Sequence, residues 1–179
     1  MNPSCSHDGN AHPCLSRRDL LFAGALALST LPVTAWAAPA GTSLLKAEHA
    51  RRRIGRVDAL AVDQALYFDY PQPGVTNMLV RLGVPAGAGV GPGADIVAFN
   101  LRCTHMGGDL TRTLRRGQQL LGPCPEHLTT FDLTRHGMVT SGSATEALPQ
   151  IVLETQGDEV FAVGVMGLVY GHFGSKTTT

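Results

Sequence analysis

Cysteine, aromatic side chains and unbalanced charge are all scarce in this chain. Of 179 residues only four are cysteine, and aromatics make up 6%. Cys5 and Cys14 precede Arg17-Arg18, within a stretch that reads as a removable leader, so the remaining chain keeps only Cys103 and Cys124. An exported protein stapled by disulfides would carry spare pairs, so a disulfide scaffold is excluded. Lys plus Arg and Asp plus Glu both number 14, which argues against nucleic acid or an anionic membrane as an electrostatic partner. No repeat and no long amphipathic helix is present, and residues 84–93, although dense in Gly and Pro, lack the pattern of a phosphate-binding loop. What the chain has in quantity is turn formers, 21 glycines and 11 prolines, which suit short strands joined by many turns.

Residues 1–40 read as an export signal. Ser16-Arg17-Arg18-Asp19-Leu20-Leu21 is a twin-arginine pattern, followed by an apolar run from Leu20 to Val33 and the small-residue cleavage pattern Ala35-Trp36-Ala37. The run is short for a membrane span, which needs about 20 residues. The chain would touch a membrane only if this leader were retained as a tilted anchor. The twin-arginine route carries folded proteins, so a cofactor inserted in the cytoplasm could reach the periplasm in place.

Beyond the leader, 41–175 reads as one all-β domain, with 176–179 as a tail. Arg51-Arg52-Arg53 reads as a solvated charged turn. Leu66 to Tyr70 reads as a strand ended by Pro71-Gln72-Pro73-Gly74, and Asn77 to Leu82 as another, with Met78, Val80 and Leu82 alternating on one face. Ile96 to Phe99 is a strand that leads into Cys103. Gly137 to Gly142 reads as a strand, Ile151–Leu153 and Val160–Val163 as a hairpin around Gln156-Gly157-Asp158, and Gly167 to Gly171 as a last strand. A small subdomain at about 96–145 would be inserted into this antiparallel sandwich or barrel.

That subdomain holds the chemistry. Cys103-Thr104-His105-Met106-Gly107-Gly108 opens it and Pro123-Cys124-Pro125-Glu126-His127 closes its second half, so each short loop offers one thiolate and one imidazole. Two sulfur and two nitrogen donors suit zinc or an iron–sulfur centre and suit calcium or magnesium badly. A zinc site accepts Cys₂His₂ but orders it as two cysteines followed by two histidines. Here the order is Cys-x-His, then Cys-x-x-His, which lets both thiolates reach one iron and both imidazoles another. A zinc-binding, non-redox module stays open as the alternative. With four protein ligands neither centre has a position for substrate, so no residue is assigned a catalytic role. His49, His136 and His172 lack ligand spacing and read as surface or core residues.

These loops resemble those of Rieske iron–sulfur proteins, and Leu128-Thr129-Thr130-Phe131-Asp132 is similar to the segment that follows the second loop in that family. The resemblance implies a [2Fe–2S] cluster whose buried iron is held by Cys103 and Cys124 and whose exposed iron is held by His105 and His127. Many members brace the loops with a disulfide; Gly108 and Glu126 occupy its positions here, so it cannot form. Eighteen residues separate His105 from Cys124, so Arg112 to Gln119 is expected to be an enlarged exposed turn. Phe131 stands where high-potential members have a tyrosine that donates to a cysteine sulfur, and Thr129 keeps a hydroxyl. With Glu126 nearby, the reduction potential is expected to lie below that of tyrosine-bearing members. Met106 and Leu128 would form an apolar collar beside the ligands. The leader, Val90–Ala98, Gly142–Pro149 and Ala162–Gly171 further resemble the small subunit of arsenite oxidase. That resemblance implies a heterodimer with a molybdopterin-containing, 3Fe–4S large subunit. The small subunit would pass electrons singly to a periplasmic cytochrome c or azurin-like acceptor. The small subunit of iodate reductase shares the same fold and leader, and residues 103–127 do not separate the two.

Overall fold

The computed structural model describes residues 49–172. The leader expected over 1–40 and the tail over 176–179 lie outside this range.

Apolar residues at alternate positions build the main sheet. Its strands are β1 (Arg52–Arg56), β2 (Ala65–Asp69), β3 (Thr76–Arg81), β4 (Ile96–Asn100), β9 (Gln150–Gln156) and β10 (Glu159–Met166), in the order β1-β10-β9-β4-β3-β2. A smaller sheet runs β5 (Leu114–Arg115), β6 (Leu120–Leu121), β7 (Thr130–Asp132) and β8 (Met138–Ser141) in sequence order. Every strand pair is antiparallel. The described residues are therefore all-β, as the turn-rich composition predicts.

Strands β3 and β4 are covered on both faces. Met78, Val80, Leu82, Val97 and Phe99 join one apolar cluster, which also contains Cys103, Cys124, Leu121 and Phe131. Leu79, Ile96 and Ala98 point the other way, into a second cluster with Ile151, Leu153, Val160 and Ala162. The expected alternation of Met78, Val80 and Leu82 holds, and the intervening Leu79 is buried too. The sheet also curls until its edges meet: the Arg52 guanidinium on β1 donates to the Asp69 carbonyl on β2 at 2.7 Å. This nearly closes a barrel, which hides strand edges that would otherwise pair with another chain.

Three local expectations are corrected. Residues 52 and 53 form the start of an edge strand rather than a turn, because Arg52 and Arg53 pair with Ala162 and Phe161 of β10. The charges are solvated but partnered: Arg53 meets Glu159 at 2.7 Å, Arg56 meets Asp58 and Asp158, and Arg51 lies 3.4 Å above the Phe161 ring. The segment 112–119 is not a bare turn, since Leu114 and Arg115 pair with Leu121 and Leu120 as a short hairpin. Finally, β10 stops at Met166; Gly167 takes φ +97°, and the chain to His172 contains turns instead of a strand. The hairpin around Gly157 forms as expected.

Candidate metal centre

Both Cys/His loops spring from the same packed cluster. The first leaves β4 through Asn100, a fully buried amide that must be satisfied internally. Its Nδ2 donates to the Asn77 Oδ1 at 3.0 Å and the Thr76 carbonyl at 3.2 Å, while its Oδ1 accepts from the Arg102 amide at 3.0 Å. Arg102 then bridges Asp109 across the neck of the loop. Inside, the Cys103 amide donates to the Gly108 carbonyl at 2.9 Å and the Gly107 amide to the Cys103 carbonyl at 2.8 Å. The second loop connects β6 to β7. Gly122 enters it at φ +127°, where a Cβ would strike the Thr129 carbonyl at 2.6 Å, so no other residue fits. The Cys124 amide donates to the Thr129 carbonyl and the Leu128 amide to the Cys124 carbonyl, at 2.8 and 2.9 Å.

These hydrogen bonds set the two predicted imidazoles side by side and place the two predicted thiols in one apolar cluster. Cys103 and Cys124 are free thiols, each 1% exposed, and both lie in the same apolar cluster. The His105 and His127 rings stand 4.6 Å apart, nearly perpendicular at 89°. His127 is exposed and His105 half-buried. Gly108 closes the gap between the loops: a Cβ there would lie 2.6 Å from the Cys124 Sγ.

The donor chemistry fits a bound metal group. Burial pushes the Cys103 thiol above its ordinary value, and Cys124 adds to the rise against an opposing hydrogen bond from the His105 backbone. The Thr129 hydroxyl also reaches Cys103, and it is itself fixed by the Ser143 and Ala144 amides at 3.2 and 3.3 Å. A bound cation reverses such a shift, because a coordinating thiol is deprotonated outright. The His105 Nδ1 is buried without a hydrogen-bond partner, as an atom reserved for a ligand bond would be. Among the described residues no three of His, Cys, Asp or Glu gather closely enough to hold a single ion. Paired thiols and paired imidazoles are the donor set of a two-metal group with sulfur on one metal and nitrogen on the other.

The remaining predicted residues fall around this centre. Phe131 is fully buried in the cluster that holds both cysteines, where it packs as core. Met106 and Leu128 are 59% and 67% exposed beside the histidines, an open apolar rim. Glu126 is exposed, and its Cγ lies against Gly108. His136 bonds Gln150 at 2.9 Å, His172 bonds Gln72, and His49 packs edge-on to Tyr70, so none joins the centre. Sequence reasoning missed two contacts: the Thr104 hydroxyl donates to the Glu146 carbonyl at 2.8 Å, and Tyr170 packs on Gly107. Neither has a local pattern that could reveal it.

An antiparallel β domain that presents two Cys/His loops from one core is a Rieske-type fold. The soluble domain of Rieske protein II from Sulfolobus acidocaldarius superposes with a TM-score of 0.56 at 23% identity, covering 65% of this chain and 78% of that one. A structure of the complex of reduced oxygenase and oxidized ferredoxin in carbazole 1,9a-dioxygenase matches with a TM-score of 0.51 at 19% identity, over 68% of this chain and 99% of that one. No family model matches the sequence. Two relatives narrow the class. The iodate reductase subunit IdrB of Pseudomonas sp. (strain SCT) is 56% identical over 166 residues, 92% of this chain and 86% of that protein. The iodate reductase subunit IdrB of Denitromonas iodatirespirans is 54% identical over 176 residues, 95% and 94% of the two chains. The chain belongs to the family of these IdrB subunits.

Proposed function

We propose that this chain is the electron-transfer subunit of an iodate reductase. It would carry one Rieske [2Fe–2S] cluster on Cys103, His105, Cys124 and His127. The convergence of two buried thiols and two imidazoles, in a member of the IdrB family, carries the reading. When bound, such a cluster supplies a one-electron carrier with a potential of roughly −150 to +300 mV.

The chain's own residues set how that carrier works. Cys103 and Cys124 would hold one iron from within the apolar cluster, which excludes water and lowers the local dielectric. The Thr129 hydroxyl, held by the Ser143 and Ala144 amides, is placed to donate toward the cysteine side, and such a bond would favour the reduced form. Phe131 adds no second donor, and Glu126 places a carboxylate beside the second loop, so both keep the potential down. His127 is exposed at the rim formed by Met106 and Leu128, giving electrons a short exit or entry path to a docked partner.

The partners follow from the same reading. A molybdopterin-containing large subunit would reduce iodate and draw electrons singly through this chain. A periplasmic cytochrome c or azurin-like protein would be the other redox partner, with delivery to the periplasm by the twin-arginine leader. Arsenite oxidation by the large subunit, expected from the Gly142–Pro149 and Ala162–Gly171 segments, gives way to iodate reduction. Relatives named for iodate reductase are more than half identical over nearly the whole chain.

Purification from the native host tests this. The expected result is a co-purifying large polypeptide with molybdenum and activity on iodate. A complex that oxidises arsenite and leaves iodate untouched would restore the other assignment. A lone colourless chain with one zinc would remove both.

A further inference from the structure

The segment from Gly167 to His172 crosses the first metal-binding loop instead of extending the sheet. Gly167 turns at φ +97° beside Pro149, and the chain folds back so that the Tyr170 ring rests on Gly107. The contact is close: a Cβ on Gly107 would stand 2.5 Å from both Cδ1 and Cε1 of that ring. At its far end the His172 amide donates to the Val169 carbonyl at 3.1 Å, and its ring meets the Gln72 amide at 3.3 Å. Met166 to Tyr170, together with Thr104, Glu146 and Leu148, line a cleft of about 660 Å³. The two Cys/His loops share no covalent link, since both cysteines are free. The base of the first loop is fixed by Asn100 and by the Arg102–Asp109 bridge, whereas its tip is steadied by Thr104 and by this ring.

We propose that Tyr170 is a positioning residue for the metal centre. Its ring clamps Gly107 and so holds the Cys103–Gly108 turn, with His105 inside it, in the geometry that meets the second loop. The clamp uses ring carbons, so the hydroxyl is dispensable. Tyr170 is 44% exposed and lies outside both core clusters, so removing it should loosen this turn without weakening the sheet.

The inference rests on the cluster reading for its consequence, but the clamp itself can be measured in metal-free protein. In the full chain stripped of metal, Tyr170→Ala should speed amide hydrogen exchange at Cys103 and Gly107 at least tenfold. Amides of β3, β4 and β9 should stay unchanged. In the metal-loaded chain the same variant should lose iron to a chelator at least tenfold faster, while Tyr170→Phe stays within twofold of the parent in both assays. Exchange at Cys103 and Gly107 within twofold of the parent in Tyr170→Ala would overturn the clamp. So would faster exchange throughout the sheet, or equal damage from Tyr170→Phe. A parent chain that binds no iron would remove the cluster reading and leave the exchange result to decide the clamp.

Discussion

The six-stranded and four-stranded sheets are held together by different means. In the larger one, strands of five to eight residues bury alternate side chains into two apolar clusters, and its register follows from that alternation. In the smaller one, β5 and β6 have two residues each, too few to define a face. Leu121 and Phe131 root it in the first apolar cluster, and the rest of its order comes from turns, from backbone hydrogen bonds inside the two loops, and from left-handed residues such as Gly122 and Leu128. The larger sheet is a scaffold that apolar burial alone can stabilise. The smaller unit is a mount whose loop tips depend on single contacts and, in the proposed state, on the metal they hold.

Removing one ligand should separate the two regions most completely. His127→Ala deletes an exposed ring, so the thermal unfolding of the metal-free chain should hardly move, while visible colour and bound iron are lost altogether. Retention of the parent iron content would break the assignment of His127. The next largest effect should come from Asn100→Ala, at the point where scaffold becomes mount. It strands the Asn77 Oδ1 and the Arg102 amide, while the Thr76 carbonyl keeps its bond from the Leu101 amide, and should cost about 2 kcal/mol in urea unfolding. A loss below about 1 kcal/mol would show that these groups find other partners.

A smaller change should follow from Phe131→Tyr. A hydroxyl donating to cysteine sulfur stabilises the reduced centre, so the potential should rise by tens of mV, where ~59 mV is a tenfold change for one electron. An unchanged potential in a redox titration would leave Phe131 as packing alone.

The smallest effect concerns Asp109 at the loop neck. The Thr111 hydroxyl and amide hold its carboxyl below the ordinary range, with Arg102 and Arg112 adding to the pull. A depressed carboxylate contributes stability that is present above its ordinary value of 3.8 and is lost as pH falls through the folded value. Asp109→Asn should therefore flatten the acid limb of the stability curve slightly, and Thr111→Val should move the Asp109 carboxyl titration, followed by NMR, upward.

How much could be read from sequence tracks the same division. The Met78-Val80-Leu82 alternation, the Ile96–Phe99 run and the Gly157 hairpin are local patterns, and each sits where expected. The four proposed donors could be named from sequence because ligand chemistry restricts residue type and spacing within each loop. Arg52 and Arg53 were misread because their strand exists only through pairing with β10, a partner far along the chain. Leu168-Val169-Tyr170 has strand composition, but Gly167 turns the backbone away before pairing can continue. The Thr104–Glu146 bond spans 42 residues, and the Tyr170–Gly107 contact links residues from the end and the middle of the described range, so neither leaves a periodic trace.

The most direct measurement is the metal and sulfide content of the purified chain, combined with electron paramagnetic resonance after reduction. Two irons and two acid-labile sulfides per chain, with the low-average-g spectrum of a mixed thiolate–imidazole centre, are expected from two buried thiols facing two imidazoles. One zinc, no sulfide and no signal would contradict it.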